Sequence, residues 1–272
     1  MSARSGVISF RNVFFAYPGA EEYALQDVSF DLPEGGILIV LGGSGSGKST
    51  ILKLTLGLIK PESGSIIVDG EEINNLGEPE LMQERGKMGM VFQEGALFDS
   101  LTVAENVGFR LSEQQEWKEK EEAIEKRVGD VLGFVGLEEF YDRMPSELSG
   151  GQRRRVAVAR GMAHHPQLML YDEPTTGLDP IIAGTICDLI IKLRDLEGVS
   201  SILVTHQLRD AFHVAQTFLF RRNGQFDYRR LEDLEVLWGT EFIMLDQGKV
   251  VFRGRQKELR ESSHPYVRQF LS

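Results

Sequence analysis

The feature that most restricts the fold is a glycine-rich stretch, GGSGSGKST, which spans Gly42 to Thr50. An apolar, strand-like segment, GILIVLG, runs directly into it, and KSTILKLTLGLI continues with helical spacing to a Gly-Leu-Ile-Lys-Pro stop. The stretch fits the pattern G-x-x-x-x-G-K-[ST], which forms a phosphate-binding loop when a strand precedes it and a helix follows. A flexible glycine turn is the alternative interpretation, and the strand and helix on either side disfavour it.

The chemistry expected of this loop follows from its residue types. Glycines let successive backbone N–H groups turn inward around phosphate oxygens, and the positive end of the following helix adds to them. We expect Lys48 to neutralise β- and γ-phosphate charge and the Ser49 hydroxyl to bind Mg²⁺. The predicted nucleotide contacts in this loop are Gly42, Gly43, Ser44, Gly45, Ser46, Gly47, Lys48, Ser49 and Thr50.

A second feature, LMLYDE, ends an apolar strand with two adjacent carboxylates, Asp172 and Glu173. Unpaired charge beside a core is costly, so buried strands rarely end this way without a reason. Asp172 fits the acid that holds Mg²⁺ in P-loop hydrolases, and Glu173 is placed to orient or deprotonate attacking water. An Asp-Glu pair alone is often a surface turn, but the apolar strand and the upstream phosphate loop favour the catalytic interpretation.

Strand-like and helical segments alternate along most of the chain, which predicts an α/β fold with a mostly parallel sheet and helices on both faces. Such sheets bind ligands at the carboxyl ends of their strands. Residues 94–147 differ, because they are highly charged with apolar residues at helical intervals, and they predict a helical subdomain. FLFRRNGQFDY (Phe218–Tyr228) predicts a hairpin around Asn223-Gly224, as β structure added to the flank of the sheet.

Composition excludes several classes of protein. No apolar run approaches the roughly 18 residues that a membrane span needs, and the N-terminal residues lack the pattern of a secretion signal. A net charge of −11 argues against nucleic acid as a partner. The single cysteine, Cys187, lies in an apolar helical segment and is interpreted as a core residue. These features predict a soluble cytoplasmic protein.

The order of motifs resembles that of the ATP-binding-cassette (ABC) ATPases, and the resemblance covers nearly the whole chain. In family order, the chain carries GGSGSGKST as Walker A, Gln93 as Q-loop, LSGGQ (Leu148–Gln152) as signature, LMLYDE as Walker B, GLD as D-loop and His206 as switch histidine. The resemblance implies a P-loop NTPase fold with a RecA-like core sheet, an antiparallel β subdomain and a helical subdomain. The expected division of the single domain, residues 1–272, is 1–93 and 148–217 as nucleotide-binding core, 94–147 as helical subdomain, 218–240 as inserted hairpin-like segment, and 241–272 as C-terminal strands and helix.

The resemblance also implies roles for individual residues, with MgATP as the cofactor. Tyr17 stacks on adenine, although a core aromatic is its plain alternative. His206 holds the γ-phosphate and Glu173 in line, and Asp179 reaches a partner protomer. The implied catalytic residues are Lys48, Gln93, Glu173 and His206. The implied metal ligands are Ser49, Gln93 and Asp172.

The signature loop has no lysine of its own. The resemblance implies that Ser149, Gly150, Gly151 and Gln152 meet the ATP held by Lys48 of a second copy, which predicts a homodimer. The arginines that follow, Arg153–Arg155, are interpreted as solvated or paired to acidic neighbours. The chain departs from the family pattern at Gln207, where Asp is usual after the switch histidine, and between about Thr217 and Thr240.

The biological role of the ATPase is predicted from the segment after Gln93, EGALFDSLTVAENVGF (Glu94–Phe109). This segment is similar to the permease-contacting region of the mammalian-cell-entry class and of maintenance-of-lipid-asymmetry systems. That resemblance implies lipid transport through separate permease subunits, with further lipid-binding envelope subunits, on the cytoplasmic face of a bacterial inner membrane. An importer for a polar solute such as an amino acid, and a non-transport ABC role, are the alternatives.

Overall fold

Two β-sheets and the helices packed against them make up most of the chain. The computed structural model describes residues 7–113, 120–222, 225–231 and 239–272. The strands are β1 (Ile8–Phe15), β2 (Leu25–Leu32), β3 (Ile37–Gly42), β4 (Ser63–Val68), β5 (Glu71–Glu72), β6 (Met88–Val91), β7 (Leu168–Asp172), β8 (Ser200–Val204), β9 (Thr217–Arg222), β10 (Gln225–Arg230), β11 (Thr240–Asp246) and β12 (Lys249–Gly254). The helices are α1 (Lys48–Thr55), α2 (Glu78–Gly86), α3 (Val103–Glu113), α4 (Glu121–Val135), α5 (Gly150–Met162), α6 (Pro180–Glu197), α7 (Leu208–Gln216), α8 (Gln256–Glu261) and α9 (Pro265–Leu271).

A six-stranded sheet, in the order β12-β11-β3-β8-β7-β6, carries the site. All neighbouring strands are parallel except β12, which pairs antiparallel with β11. Every residue of β3 and β8 is buried, as expected for strands covered on both faces. Alternate residues of β3 enter different cores, with Ile39 on the side of α5 and α6 and Val40 on the side of α1. The parallel arrangement brings the carboxyl ends of β3, β6, β7 and β8 to one edge.

A four-stranded antiparallel sheet, in the order β2-β1-β4-β5, covers the α1 side of the central sheet. Its inner face is aromatic at the centre, where Phe10 and Phe30 are cross-strand neighbours with ring centroids 4.5 Å apart. Both rings are fully buried together with Ile51 and Leu54 of α1. The contact fixes α1, and therefore the phosphate loop before it, between the two sheets.

Helices α3 and α4 pack against α5 through one apolar face of each helix. Val107 and Leu111 of α3 and Val128 and Leu132 of α4 are buried in the same core as Val156 of α5. The acidic residues of α4 and Lys126 are exposed, whereas Arg127 donates to the carbonyls of Met162 and Ala163, and this pattern agrees with the helical interpretation of the region. Residues 114–119, which fall in the predicted charged helix, lie outside the described residues. No helix of the described ranges is long and apolar enough to cross a membrane.

The β structure after α7 differs from the flanking addition that the sequence predicted. Strands β9 and β10 form a separate two-stranded sheet, held to α6 by a hydrogen bond from the Tyr228 hydroxyl to the Asp188 carbonyl. The predicted turn at Asn223-Gly224 lies outside the described residues. A second hairpin, formed by β11 and β12, does extend one end of the central sheet, because β11 pairs with β3 and β12 lies at the edge. Two short helices, α8 and α9, follow β12, where the sequence had indicated one.

Candidate active site

The phosphate loop connects the end of β3 to the start of α1. Gly42, Gly45 and Gly47 have φ of 150°, 76° and 104°, a region in which side chains other than glycine are strained. A Cβ on Gly47 would lie 2.5 Å from the Ala24 carbonyl oxygen, whereas one on Gly45 would have no atom within 4 Å. The loop therefore closes tightly against the antiparallel sheet at Gly47 and is open at Gly45, as a concave phosphate cradle requires.

Lys48, the first residue of α1, lies beneath this loop. It is 8% exposed, and its Nζ donates to the carbonyl oxygens of Gly42 at 3.0 Å and Gly43 at 2.9 Å. Nζ also lies 3.7 Å from Glu173 Oε1. Burial lowers the pKa of Lys48, and the nearby carboxylates of Glu173 and Asp172 oppose that shift. The loop thus holds a desolvated cation whose present partners are carbonyls that a phosphate can replace.

Ser49 and Asp172 form the pair that the sequence predicted for Mg²⁺. The Ser49 hydroxyl donates to Asp172 Oδ1 at 2.9 Å, which joins α1 to the end of β7. Burial raises the pKa of Asp172, while the hydrogen bond from Ser49 acts in the opposite direction. A hydroxyl and a carboxylate are hard oxygen ligands of the kind that Mg²⁺ prefers, so these two residues fit that ion.

Glu173 occupies the centre of the site. Its Oε2 accepts from Thr176 Oγ1 at 3.1 Å and lies 2.8 Å from His206 Nδ1, at the end of β8. Its backbone has φ of 49°, a left-handed conformation that costs about 1–2 kcal/mol outside glycine. A hydrogen bond of 2.9 Å from Glu173 N–H to the Val204 carbonyl holds that conformation. The fold maintains local strain to aim this carboxylate between Lys48 and His206.

Tyr17 stands beside α1 with its ring partly exposed. It is 38% exposed, and its hydroxyl lies 3.2 Å from Thr50 Oγ1. The ring packs edge-on against Phe15, with centroids 4.9 Å apart, and Lys53 Nζ lies 5.6 Å from the Tyr17 centroid. This exposure disfavours the interpretation as a plain core aromatic. Adenine stacking by Tyr17 stays a prediction.

Comparison with known proteins decides the family to which this arrangement belongs. A family model described as ABC transporter matches residues 25–176, from β2 through the Walker A, signature and Walker B motifs. The chain belongs to the ABC transporter family. The match includes the loop around Lys48 and the Asp172–Glu173 pair, whose individual roles stay predictions, as does that of His206.

Individual relatives extend the match of this ABC cassette beyond residue 176. A methionine import ATP-binding protein, MetN, from Carboxydothermus hydrogenoformans is 39% identical over 220 residues, covering 80% of this chain and 64% of that protein. A chloroplast protein of Arabidopsis thaliana, trigalactosyldiacylglycerol 3, is 36% identical over 282 residues, covering 98% of this chain and 73% of that protein. Three methionine import ATP-binding proteins are covered by this chain over 64%, 64% and 58% of their length, which is less than two thirds in each case.

A solved structure of a dimeric ATP-binding cassette in a post-hydrolysis state, bound to ADP and Pi, resembles this ABC cassette with a TM-score of 0.76. It is 32% identical and covers 91% of this chain and 98% of that one. The predicted fold and the prediction of an ABC ATPase with ATP and Mg²⁺ as cofactors are thereby confirmed at the level of the family. The relatives support the alternative of an amino-acid importer better than they support lipid transport.

Within the cassette, Gln93 lies two residues beyond β6 and is exposed. Strand β6 runs parallel to β7 with Val91 opposite Tyr171, and continuing this register places Gln93 at the same sheet edge as Asp172. Its contacts with Mg²⁺ and water stay predictions.

Of the arginines after the signature motif, Arg153 is exposed, as expected of a solvated side chain, whereas Arg154 is buried and differs from that expectation. Arg153 donates to the Leu148 carbonyl and Arg155 to those of Val135 and Gly136. Arg154 is 6% exposed and donates to the carbonyls of Phe92 at 2.7 Å and Thr176 at 3.3 Å. These cations bind backbone oxygens, and nothing in the local sequence distinguished them from solvated arginines.

Arg154 is a functional candidate that the sequence analysis missed. Phe92 directly precedes Gln93, and Thr176 begins the turn that leads to Asp179, so one side chain joins the Q-loop, the D-loop and the signature helix α5. Burial lowers the pKa of Arg154. On the other side of the Q-loop, Arg160 donates to the carbonyls of Gly95 and Ala96.

The signature residues lie at the start of α5, where Ser149 and Gln152 cap the helix reciprocally. Ser149 Oγ accepts from Gln152 N–H at 3.3 Å, and Ser149 N–H donates to Gln152 Oε1 at 2.8 Å. Ser149 and Gly150 are exposed, and no hydrogen bond within the described ranges joins them to the phosphate loop. Gly151 is buried against Ile182, whose Cγ2 would lie 2.4 Å from a Cβ at that position. Gly151 therefore has a packing role in its own chain.

Asp179 and Gln207 each begin a helix. Asp179 Oδ1 accepts from the N–H groups of Ile181 and Ile182 and so caps α6 in its own chain. Contact of Asp179 with a partner stays a prediction. Gln207, the departure from the family pattern, precedes α7, and its N–H donates to Thr205 Oγ1 at 3.0 Å. His206 reaches Glu173 with glutamine in that place.

Proposed function

We propose that this chain is the ATP-hydrolysing subunit of a membrane transporter whose permease is formed by other chains. The observation that carries the proposal is the meeting of Lys48, Ser49, Asp172, Glu173 and His206 at one sheet edge. Each supplies a group that phosphoryl transfer to water needs, namely a cation for phosphate charge, two oxygen ligands for Mg²⁺, a base and a positioning group.

Each residue of the site has a separate role in the proposed hydrolysis of ATP. The loop N–H groups and Lys48 bind the β- and γ-phosphates, and Lys48 exchanges the carbonyls of Gly42 and Gly43 for phosphate oxygens. Ser49 and Asp172 would hold Mg²⁺, which would supply positive charge beside the phosphate oxygens. Glu173 orients the attacking water and accepts its proton. His206 fixes the Glu173 carboxylate through the 2.8 Å contact of its Nδ1, which leaves Nε2 for binding the γ-phosphate.

A complete site requires a second copy of the chain. Ser149 and Gly150 are exposed at the positive end of α5, where backbone N–H groups and the helix dipole favour an anion. Because they do not bond to their own phosphate loop, they are free to bind the γ-phosphate held by a partner. The dimeric cassette bound to ADP and Pi supports this arrangement.

Coupling to the permease is assigned to residues 94–109. Phe98 and Phe109 are 42% and 41% exposed, with their rings 4.6 Å apart, at the junction of the Q-loop and α3. Exposed paired aromatics of this kind suit burial against a partner helix. Arg160 ties the backbone of this segment to α5, and Arg154 does the same for Phe92 just before it, so movement of α5 on dimer closure moves the exposed aromatics with it.

For the cargo, we propose a small polar solute of the amino-acid class. Methionine import ATP-binding proteins from several bacteria are 36–40% identical to this chain, and they carry the support for this choice. Lipid transport, the prediction from the Glu94–Phe109 segment, is the second candidate. It is favoured by the chloroplast relative, named for a galactolipid, whose alignment extends over 98% of this chain.

Recovery of a tagged chain from detergent-solubilised membranes tests both levels of the proposal. Permease subunits should accompany the chain, and its ATP hydrolysis should be faster in the assembled complex. The complex reconstituted with a labelled amino acid, in parallel with labelled phospholipid, separates the two cargoes. Amino-acid uptake that needs ATP supports the first candidate, and ATP-dependent movement of phospholipid alone replaces it with the second. Recovery without membrane subunits would refute the transport function.

A further inference from the structure

The C-terminal helix α9 reaches the phosphate loop through one hydroxyl group. The N–H of Gly43 donates to the hydroxyl oxygen of Tyr266 at 3.0 Å. Tyr266 is the second residue of α9, 223 positions further along the chain. A segment to which the sequence analysis gave no role therefore bonds directly to the nucleotide site.

The glycine at position 43 matches this contact. Position 43 is one of the unspecified positions in the phosphate-loop pattern, so the pattern itself does not require glycine there. Its backbone is not in the left-handed region, so conformation does not require glycine either. A Cβ at Gly43 would lie 3.2 Å from the Tyr266 hydroxyl oxygen, closer than an ordinary contact. The tyrosine hydroxyl thus explains why a side chain is unfavourable at this position.

The contact holds a peptide group that Lys48 also holds. The Gly42 carbonyl and the Gly43 N–H belong to one peptide unit, and Lys48 Nζ donates to that carbonyl at 3.0 Å while Tyr266 accepts from that N–H. When Lys48 turns to a phosphate, it leaves the carbonyls of Gly42 and Gly43. The hydrogen bond from Gly43 to Tyr266 then remains to keep this peptide in place.

The helix that carries Tyr266 is firmly supported. Val267 is fully buried, and Tyr266 and Phe270 pack against the core that contains Phe242 and Leu259. The Tyr266 hydroxyl is therefore presented from a packed surface and holds the loop in a defined position.

We propose that Tyr266 is a positioning residue for the phosphate loop, through which the state of α9 sets the affinity of the chain for nucleotide. The inference rests on the proposed function, because it assumes that the loop binds ATP. A movement of α9 that withdraws the hydroxyl would release the Gly42–Gly43 peptide and weaken nucleotide binding, although α9 itself need not contact a phosphate.

The test compares Tyr266→Phe with Tyr228→Phe in the purified full chain. Each variant removes one tyrosine hydroxyl, and Tyr228 bonds to α6 outside the site, which makes it a matched control. Loss of one neutral hydrogen bond predicts that Y266F raises the Kd and KM for MgATP about two- to tenfold, with kcat changed less. Amide hydrogen exchange at residues 41–48 should be faster in nucleotide-free Y266F than in wild type or Y228F. Equal exchange or an unchanged Kd in Y266F would overturn the inference.

Gly43→Ala supplies a second, independent test. The added methyl group presses on the Tyr266 hydroxyl in the wild-type background, so G43A alone should weaken MgATP binding. In Y266F the hydroxyl is gone, and the same substitution should then have a smaller effect. An equal effect in both backgrounds would contradict the proposed contact. If wild type binds no nucleotide at all, the proposed function fails, while the exchange comparison still decides the role of Tyr266.

Discussion

His206 Nδ1 lies 2.8 Å from Oε2 of Glu173, and the other oxygen of that carboxylate lies 3.7 Å from Lys48 Nζ. One acidic side chain therefore bridges the histidine at the end of β8 and the lysine at the start of α1. In the proposed mechanism Lys48 binds the phosphates and Glu173 binds water. Nucleotide binding therefore has to open either the contact of Glu173 with Lys48 or its contact with His206, and to keep the other. The contact with His206 is the shorter of the two, and it is the one that the proposed mechanism retains.

Replacing His206 by Ala should slow turnover without removing nucleotide binding. The Glu173 carboxylate loses its positioning partner, so kcat should fall by about a hundredfold or more, in the range of positioned acid–base groups. Lys48 and the loop N–H groups remain, so the Kd for MgATP should change little. Equilibrium binding and steady-state hydrolysis measured on the same preparation check this. A variant with a near-normal kcat would remove His206 from the mechanism.

Replacing Asp172 by Asn should abolish Mg²⁺-dependent hydrolysis and stabilise the nucleotide-free protein. Burial raises the pKa of Asp172, which means that the charged carboxylate is unfavourable in the fold at neutral pH. Asparagine still accepts the hydrogen bond from Ser49 and carries no charge. The melting temperature without nucleotide should rise by a few degrees, while the gain in stability that MgATP provides should be lost. A lower melting temperature would contradict the pKa argument.

Arg154 offers a test of the link between the Q-loop and the D-loop. Arg154→Lys keeps the charge but cannot reach both carbonyls, whereas Arg154→Ala leaves the carbonyls of Phe92 and Thr176 without this donor. We expect R154A to lower stability by about 1–3 kcal/mol, the cost of unpaired buried groups. R154K should lower kcat with little change in the KM for ATP or in stability. Arg153→Lys, at an exposed neighbouring position, is the control and should resemble wild type.

The fold should lose stability in mild acid through His164. Its Nε2 bonds to the Met88 carbonyl at 3.0 Å, and burial lowers its pKa from 6.5 to about 4. Between those values the unfolded chain takes up a proton that the folded chain refuses, so stability falls as pH falls, by about 3 kcal/mol in all. His164→Gln keeps a donor for Met88 without titrating. The free energy of unfolding, measured with denaturant from pH 7 to pH 4, should depend less on pH in H164Q than in wild type. The same pH dependence in both proteins would exclude His164 as the cause.

The features of the fold and the site that the sequence could predict are those formed by residues that are contiguous in the chain. The strand–loop–helix around Lys48 and the carboxylates that end β7 were predictable because both depend on contiguous residues. Parallel strand order then brings Asp172, Glu173 and His206 to one edge without further information. The signature motif LSGGQ was likewise visible as a contiguous stretch, whereas its reciprocal helix cap is a finding of the structure.

The parts that could not be predicted depend on contacts between distant segments. Nothing near Arg154 indicates that it is buried under the Q-loop, because an arginine-rich helix start is usually solvated. Tyr266 meets Gly43 only because α9 folds back against β12 and reaches the loop after β3. The pairing of β11 with β3 depends on a similar contact, since the sequence of a strand does not show which distant strand it pairs with.

The central claim, a nucleotide site completed by a second copy, is tested most directly by the mass of Glu173→Gln in solution. This variant lacks the base that activates water, so it should bind MgATP but show no steady-state hydrolysis. Its mass in light scattering should then double from that of a monomer to that of a dimer. Gly150→Asp in the same background is the control for the signature loop. A Cβ at residue 150 has its nearest neighbour, Leu178 Cδ2, at 3.7 Å, and an acid there suits the start of α5 but repels phosphate.

With MgATP, E173Q should have twice the monomer mass, whereas E173Q/G150D should bind MgATP equally well but keep the monomer mass. A monomeric E173Q at saturating MgATP, or full dimerisation of E173Q/G150D, would contradict a site completed by a second copy.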